Sequence, residues 1–273
     1  PSASSAASDV YKRQTELQPN KEGLINIEQL SEAFEKDTFL VSVMAANNEI
    51  GVLQPIGDIG SFCKRKGIAF HSDAAQAFGY LDLDPDKFRI DLMSLSAHKI
   101  YGPKGIGALV IREGFPLEPS QYGGGQELGL RSGTLPVPLI VGFAKAVEIT
   151  KNDQDERNKR LLFFRNLLLS GLKKNISGLI VNGSIDQRLP HNLNITFPGV
   201  KGSQLHGQLR RFIFCTSGSA CSNGEASHVL QEIGLSKKDA EASIRMSIGR
   251  NTTEKDINKA INIIANIVIN LRQ

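Results

Sequence analysis

The sequence has no tryptophan, three methionines and three cysteines in 273 residues. Three cysteines are too few for a disulfide scaffold, and an odd, sparse set points to a reducing compartment, the cytoplasm or, as the alternative, an organelle. There is no apolar run near the ~20 residues that a membrane-spanning helix needs. Nor is there a concentrated basic stripe interleaved with aromatics, which argues against nucleic acid as a partner. Lysine and arginine exceed aspartate and glutamate by 32 − 28 = 4. The short basic clusters, Lys64-Arg65-Lys66 and Lys173-Lys174, read as solvated faces. What is present, 40% hydrophobic and 22% charged residues, is the composition of a folded globular protein, which excludes wholesale disorder.

The first residues stand apart. Pro1 to Ser8 is a run of serine, alanine and proline without an apolar core, so it is no secretory signal. Asp9-Val10-Tyr11-Lys12-Arg13-Gln14 can be back-translated into a transposon end used in sequencing libraries. Residues 1–14 are therefore expected to be non-native or disordered, with a natural portion of the protein missing upstream.

Beyond residue 14 the periodicity alternates. Helical spacing is expected over residues 25–36 and over residues 56–66, the latter stopped by Gly67. Short apolar runs at 39–45, 68–70, 92–97 and 107–112 read as strands, the second running into His71-Ser72-Asp73. Alternation of this kind predicts βαβ units and a mainly parallel sheet, with ligands bound beyond the carboxyl ends of strands. Residues 135–174 read as a long helix whose polar stretch, 151–160, is exposed. A second α/β pattern follows: strands at 179–181, 193–197, 212–216 and 243–247, a helix at 203–211, and a final amphipathic helix over 252–271 capped by Asn251 or Thr252. The expected division is a partial large domain, 15–136, and a smaller C-terminal domain, 137–273.

Three polar clusters follow predicted strands. Ser96-Ala97-His98-Lys99 leads into Tyr101-Gly102-Pro103-Lys104-Gly105. On its own this peptide reads as a surface turn with a solvated lysine. A lysine at such an edge can also form a Schiff base. His71-Ser72-Asp73-Ala74-Ala75-Gln76 places a carboxylate at a strand exit. It reads either as a helix cap or as the partner of a protonated pyridine nitrogen. Taken together, Asp73, Gln76 and Lys99 favour a pyridoxal phosphate site.

Five motifs occur in order: Asn47-Asn48-Glu49-Ile50-Gly51, the Asp73 and Lys99 peptides, Arg131-Ser132-Gly133-Thr134, and Ser217-Gly218-Ser219-Ala220-Cys221. In this the chain resembles the cysteine desulfurases, the NifS/IscS-like branch of the class V aminotransferases, over nearly its whole length after residue 14. The resemblance implies a fold type I α/β architecture in which the large domain is incomplete. It implies that Lys99 holds pyridoxal phosphate and moves the substrate Cα proton. Asp73 would face the ring nitrogen, Gln76 the ring oxygen, and Ser96 and His98 the phosphate. Asn48 would sit beside the ring and the substrate carboxylate, and Arg245 would clamp that carboxylate. Thr134 would reach a neighbouring protomer's phosphate across a homodimer.

Cys221 would take the sulfur of L-cysteine as a persulfide, leaving alanine, and pass it to an acceptor, either an iron–sulfur scaffold or a sulfurtransferase. Cys63 and Cys215 read as packed thiols, His71 and His206 as structural. Leu128 stands where the family usually has arginine, and the loop after Cys221 is short. The alternatives carried with this reading are a selenocysteine lyase-like enzyme and a truncated homologue that only dimerises or binds a sulfur acceptor.

Overall fold

The computed structural model describes residues 12–213, 215–216 and 226–273. The expectation for residues 1–14 falls mostly outside them, and Cys221 does so entirely.

The first half builds one sheet. Helix α1 (Ile27–Ala33) precedes β1 (Leu40–Ser42), and α2 (Ile56–Lys66) leads into β2 (Ala69–Asp73). Helix α2 buries Ile56, Ile59, Phe62 and Cys63 on one stripe. It stops at Gly67, whose left-handed backbone returns its N–H to the Cys63 and Lys64 carbonyls. A one-turn helix, α3 (Pro85–Phe88), precedes β3 (Leu92–Ser96), and β4 (Gly107–Ile111) closes the sheet. The order is β1-β2-β3-β4, with β1–β2 and β2–β3 parallel and β3–β4 antiparallel. The expected mainly parallel sheet is therefore present, with an antiparallel edge. Phe70, Ile59, Phe62, Ile90 and Met93 fill its core.

Helix α4 (Val137–Asn175) then runs for 39 residues. Its first turns pack Phe143 and Ala146 on Ala97 and Ile100. Its later turns pack Leu161, Phe164, Leu168 and Leu172 into a second core. That core is closed by a three-stranded antiparallel sheet, β5 (Ile180–Val181), β6 (Asn192–Thr196) and β7 (Ser243–Ser247). It is completed by α5 (Gly202–Leu209) and α8 (Glu254–Arg272), with the short α6 (His228–Glu232) and α7 (Lys237–Glu241) between them in the chain. Every residue of β6 is buried.

Five local expectations need correction. The strand expected over 212–216 is, among the described residues, a single bridge between Thr216 and Arg245. Helix α8 is capped by neither Asn251 nor Thr252 but by Thr253, in a reciprocal capping box with Asp256. The first helix and first strand are shorter than their apolar runs. The polar stretch 151–160 is not exposed throughout: Arg157 is buried, paired with Asp153 and with the Gly79 carbonyl. Periodicity marks a polar residue but does not reveal a partner brought from 78 positions away.

Candidate active site

The parallel register brings three strand exits to one edge. Ser42 lies opposite His71, and Asp73 opposite Ser94. The ladder continues past the strands, with Val43 N–H donating to the His71 carbonyl and Ala45 N–H to the Asp73 carbonyl. The peptide leading to Asn47 thus runs beside Asp73. Asn47 is buried, and its Oδ1 accepts from Glu49 N–H at 2.8 Å and Ile50 N–H at 3.1 Å. The turn closes at Gly51, with φ of 71° and its N–H on the Asn47 carbonyl. A side chain there would strike Asn192.

At the second exit Asp73 is exposed, and its Oδ1 accepts from Ala75 N–H at 2.9 Å. This fixes the carboxylate at the start of the turn, and Gln76 follows, half-buried. At the third exit a single 3-10 turn, Ala97–Ile100, buries Ala97 and Ile100 and leaves His98 and Lys99 exposed. Ser96 Oγ and His98 Nδ1 lie 2.9 Å apart. Gly102 allows the turn to close, because a Cβ there would sit 2.9 Å from the Ala97 carbonyl oxygen.

Arg245 arrives from the other sheet. It lies in β7, and its Nη1 donates to the Asn48 carbonyl at 2.9 Å. Its backbone also exchanges hydrogen bonds with Thr216. Burial pushes the guanidinium below its ordinary range, and the Glu49 carboxylate opposes that shift. A guanidinium anchored through one nitrogen keeps further N–H groups for a planar anion.

The aminotransferase class-V family model matches residues 3–260. The chain belongs to the class-V aminotransferase family. It is 48% identical over 262 residues to a protein of Vibrio vulnificus (strain YJ016) named "Cysteine desulfurase IscS", covering 94% of this chain and 64% of that one. The chain thus spans less than two thirds of that curated relative. Among solved structures, a NifS-like protein superposes with a TM-score of 0.89 at 35% identity, covering 98% of this chain and 71% of the other. A NifS-like protein from Rickettsia africae ESF-5 does so at 0.86 and 31%, covering 96% and 72%.

In this class-V aminotransferase chain the donors at the sheet edge fit a phosphorylated pyridine aldehyde. There is an amine at Lys99, a carboxylate at Asp73 for a ring N–H, and an amide at Gln76 for a ring oxygen. A hydroxyl and an imidazole, Ser96 and His98, are already coupled side by side for a phosphate. Thr134 lies in the exposed segment leading into α4. Leu128 is 98% exposed at a positive φ of 56°, a conformation costly for a branched side chain.

Cys63 and Cys215 behave as expected. Burial pushes the Cys63 thiol up to about 11 and raises Cys215 as well, so neither is a ready thiolate. His71 bridges Ser42 Oγ and Ser94 Oγ at 2.8 Å each, and His206 lies 3.3 Å from the Glu241 carbonyl oxygen.

Sequence reasoning missed two residues. His191 stacks on Tyr80, with ring centroids 4.1 Å apart, and its Nδ1 is buried without a hydrogen-bond partner. Burial, aided by the charges of Arg157 and Lys99, pushes this imidazole down to about 4. It is thus a neutral ring close to the lysine. Its sequence neighbourhood, Pro190-His191-Asn192, carries no signal for this. The other is Glu49, buried at 1% exposure. Its signal in the sequence is an acid inside an otherwise turn-forming peptide.

Proposed function

We propose that this chain carries the lysine, acid and thiol of a pyridoxal phosphate-dependent cysteine desulfurase. The observation that supports it best is the hydrogen bond from Arg245 to Asn48, in the turn that runs beside the exit of β2. A carboxylate-binding fork thereby joins an edge holding Asp73, Gln76, Ser96, His98 and Lys99. Pyridoxal phosphate would supply an electron sink for chemistry at the substrate Cα.

The chain's own residues divide the remaining work. Lys99 would hold the cofactor through its Nζ and carry the Cα proton. The Asp73 carboxylate would keep a proton on the ring nitrogen, and Gln76 would donate to the ring oxygen. Ser96 and His98 would bind the phosphate. Arg245 and Asn48 would orient L-cysteine by its carboxylate, a geometry that suits a guanidinium fork. The Cys221 thiolate would attack the substrate sulfur. The new S–S bond forms as the Cβ–S bond breaks; the electron pair stays with carbon, which is protonated to give alanine. The persulfide on Cys221 is then available to an acceptor protein.

The names of the relatives favour desulfurase over selenocysteine lyase. A homodimer, with Thr134 serving the neighbour's site, belongs to the same proposal. So do a cytoplasmic location and the division of the chain near residue 136. Among the described residues no helix is long and apolar enough to cross a membrane. Leu109 and Val110 on β4 and Val137 and Val141 on α4 are exposed, and this apolar surface suits contact with the rest of the protein or a second copy.

The test is to add pyridoxal phosphate and sulfur-labelled L-cysteine to the purified chain and map the label by mass spectrometry. The expected result is alanine formation with label on Cys221, lost in Cys221→Ser and in Lys99→Ala. Alanine formed without labelled Cys221, or no alanine at all, would overturn the proposal for this chain.

A further inference from the structure

Tyr101 ends the turn that carries Lys99, and its backbone is left-handed, with φ of 66° and ψ of 16°. That conformation is costly for any side chain with a Cβ, and glycine or asparagine usually fills it. It lets two N–H groups reach the Ala97 carbonyl, that of Tyr101 and, at 2.9 Å, that of Gly102. A glycine would close the same turn without the penalty. A tyrosine persists there only where other contacts over-determine its position.

Those contacts come from 149 residues away. The Tyr101 hydroxyl accepts from Arg250 N–H at 2.9 Å, and the Arg250 guanidinium lies 5.2 Å from the centre of the ring. Arg250 is itself fixed to α4. Its Nη2 donates to Asp153 Oδ2 at 2.8 Å, and its carbonyl accepts from Arg160 Nη2. Lys99 lies two residues before Tyr101, and Arg250 lies three residues beyond β7, the strand of Arg245. The contact between Tyr101 and Arg250 therefore ties the turn of the lysine to the segment that follows the strand of the guanidinium.

We propose that Tyr101 is a positioning residue for Lys99: its side chain fixes the end of the 3-10 turn against Arg250 and so sets where the lysine stands relative to β7. The inference rests on the reading of Lys99 as the lysine that holds the cofactor, but the placement of the turn can be tested without cofactor.

Amide hydrogen exchange followed by NMR reads both sides of the contact in the purified full chain. Tyr101→Phe keeps the ring and the backbone penalty but removes the acceptor, so the Arg250 amide should exchange about fivefold faster. Tyr101→Ala keeps the penalty and removes both contacts, so the Gly102 amide should exchange roughly tenfold faster. An Arg250 amide unchanged in Tyr101→Phe, or a Gly102 amide unchanged in Tyr101→Ala, would overturn the proposal. If Tyr101→Ala does not fold, Tyr101→Gly takes its place. It relieves the backbone, yet its Arg250 amide should still exchange about fivefold faster, and wild-type protection there would overturn the proposal.

A second arm reads the lysine itself. Pyridoxal phosphate is added, trapped with borohydride, and mapped at Lys99 against exposed Lys255. The Lys99-to-Lys255 ratio should fall about tenfold in Tyr101→Ala, as the turn loosens, and an unchanged ratio would overturn the positioning role. A wild-type chain with no preference for Lys99 would instead remove the reading of Lys99, while the amide arm still decides whether Tyr101 fixes the turn. With L-cysteine turnover, Tyr101→Phe should lower kcat about fivefold and leave KM within about twofold of wild type. A raised KM with unchanged kcat would overturn the proposal.

Discussion

Arg245 Nη1 donates to the carbonyl oxygen of Asn48 across 2.9 Å of space and 197 residues of sequence. The bond joins the antiparallel sheet of the second half to the turn beyond β1. It explains how a strand residue, which by itself reads as an edge charge, comes to sit at the turn that runs beside the β2 exit. The fold achieves this through β6, whose Asn192 and Asn194 hold the same turn by the Glu49 carbonyl.

Arg245→Lys tests that placement. A lysine keeps the charge but loses the planar fork, so it cannot hold the Asn48 carbonyl and grip a carboxylate bidentately. Hydrogen bonds to charged groups contribute about 1.5–3 kcal/mol, so KM for L-cysteine should rise roughly 10- to 100-fold at 25 °C. The decrease in kcat should be small, because the grip is present before and during the reaction. Steady-state kinetics decide it: a large fall in kcat with unchanged KM would show that Arg245 acts on the reacting atoms instead.

Much of the site was legible because strand exits carry chemistry in parallel sheets. Asp73, Ser96 and Lys99 each follow a short apolar run, and the register places those runs side by side. The family resemblance added Asn48 and Arg245, which periodicity alone would have left as turn and strand residues. The rest depended on long-range partners. Arg157 reads as one charge in a polar helical stretch, yet it is buried against Gly79 and beside the Tyr80 ring. His191 looks like a loop residue until Tyr80 stacks on it. The strand expected over 212–216 has the right composition, but the described residues pair only at Thr216.

His191 sets a pH dependence. Its folded-state pKa, about 4, lies below the ordinary 6.5. Between those values the unfolded chain binds a proton that the folded chain refuses, so folding stability rises with pH. The contribution is fully present above about pH 6.5 and is lost as the pH falls toward 4. His71 and His206 are lowered in the same direction and add to the slope. Melting temperature should therefore decline from pH 7 to pH 4.5, and His191→Gln should flatten part of that decline. Proton NMR offers the direct check: an imidazole titrating near 6.5 at His191 in the folded protein would contradict the buried, neutral ring.

Two glycines separate backbone strain from steric collision. Gly51 and Gly67 have nearly the same left-handed backbone, φ of 71° and 67°. A Cβ at Gly67 would meet nothing within 4 Å, whereas one at Gly51 would lie 2.5 Å from Asn192 Cγ. Gly67→Ala should therefore cost only the left-handed penalty, about 1–2 kcal/mol. Gly51→Ala pays that and must also displace Asn192, weakening its bond to the Glu49 carbonyl. An additional cost of about 1–3 kcal/mol follows from overpacking a closed site. At about 2–4 °C per kcal/mol for a chain near this size, Gly51→Ala should melt several degrees below Gly67→Ala. The consequences should also differ in kind. Gly51→Ala moves the turn that presents Asn48, so it should raise Arg245 phenylglyoxal reactivity as well as lower stability. Gly67→Ala, at the far end of α2, should leave that reactivity at the wild-type level. Equal reactivity in the two variants would mean that Arg245 is held by its own strand, with the Asn48 turn following it.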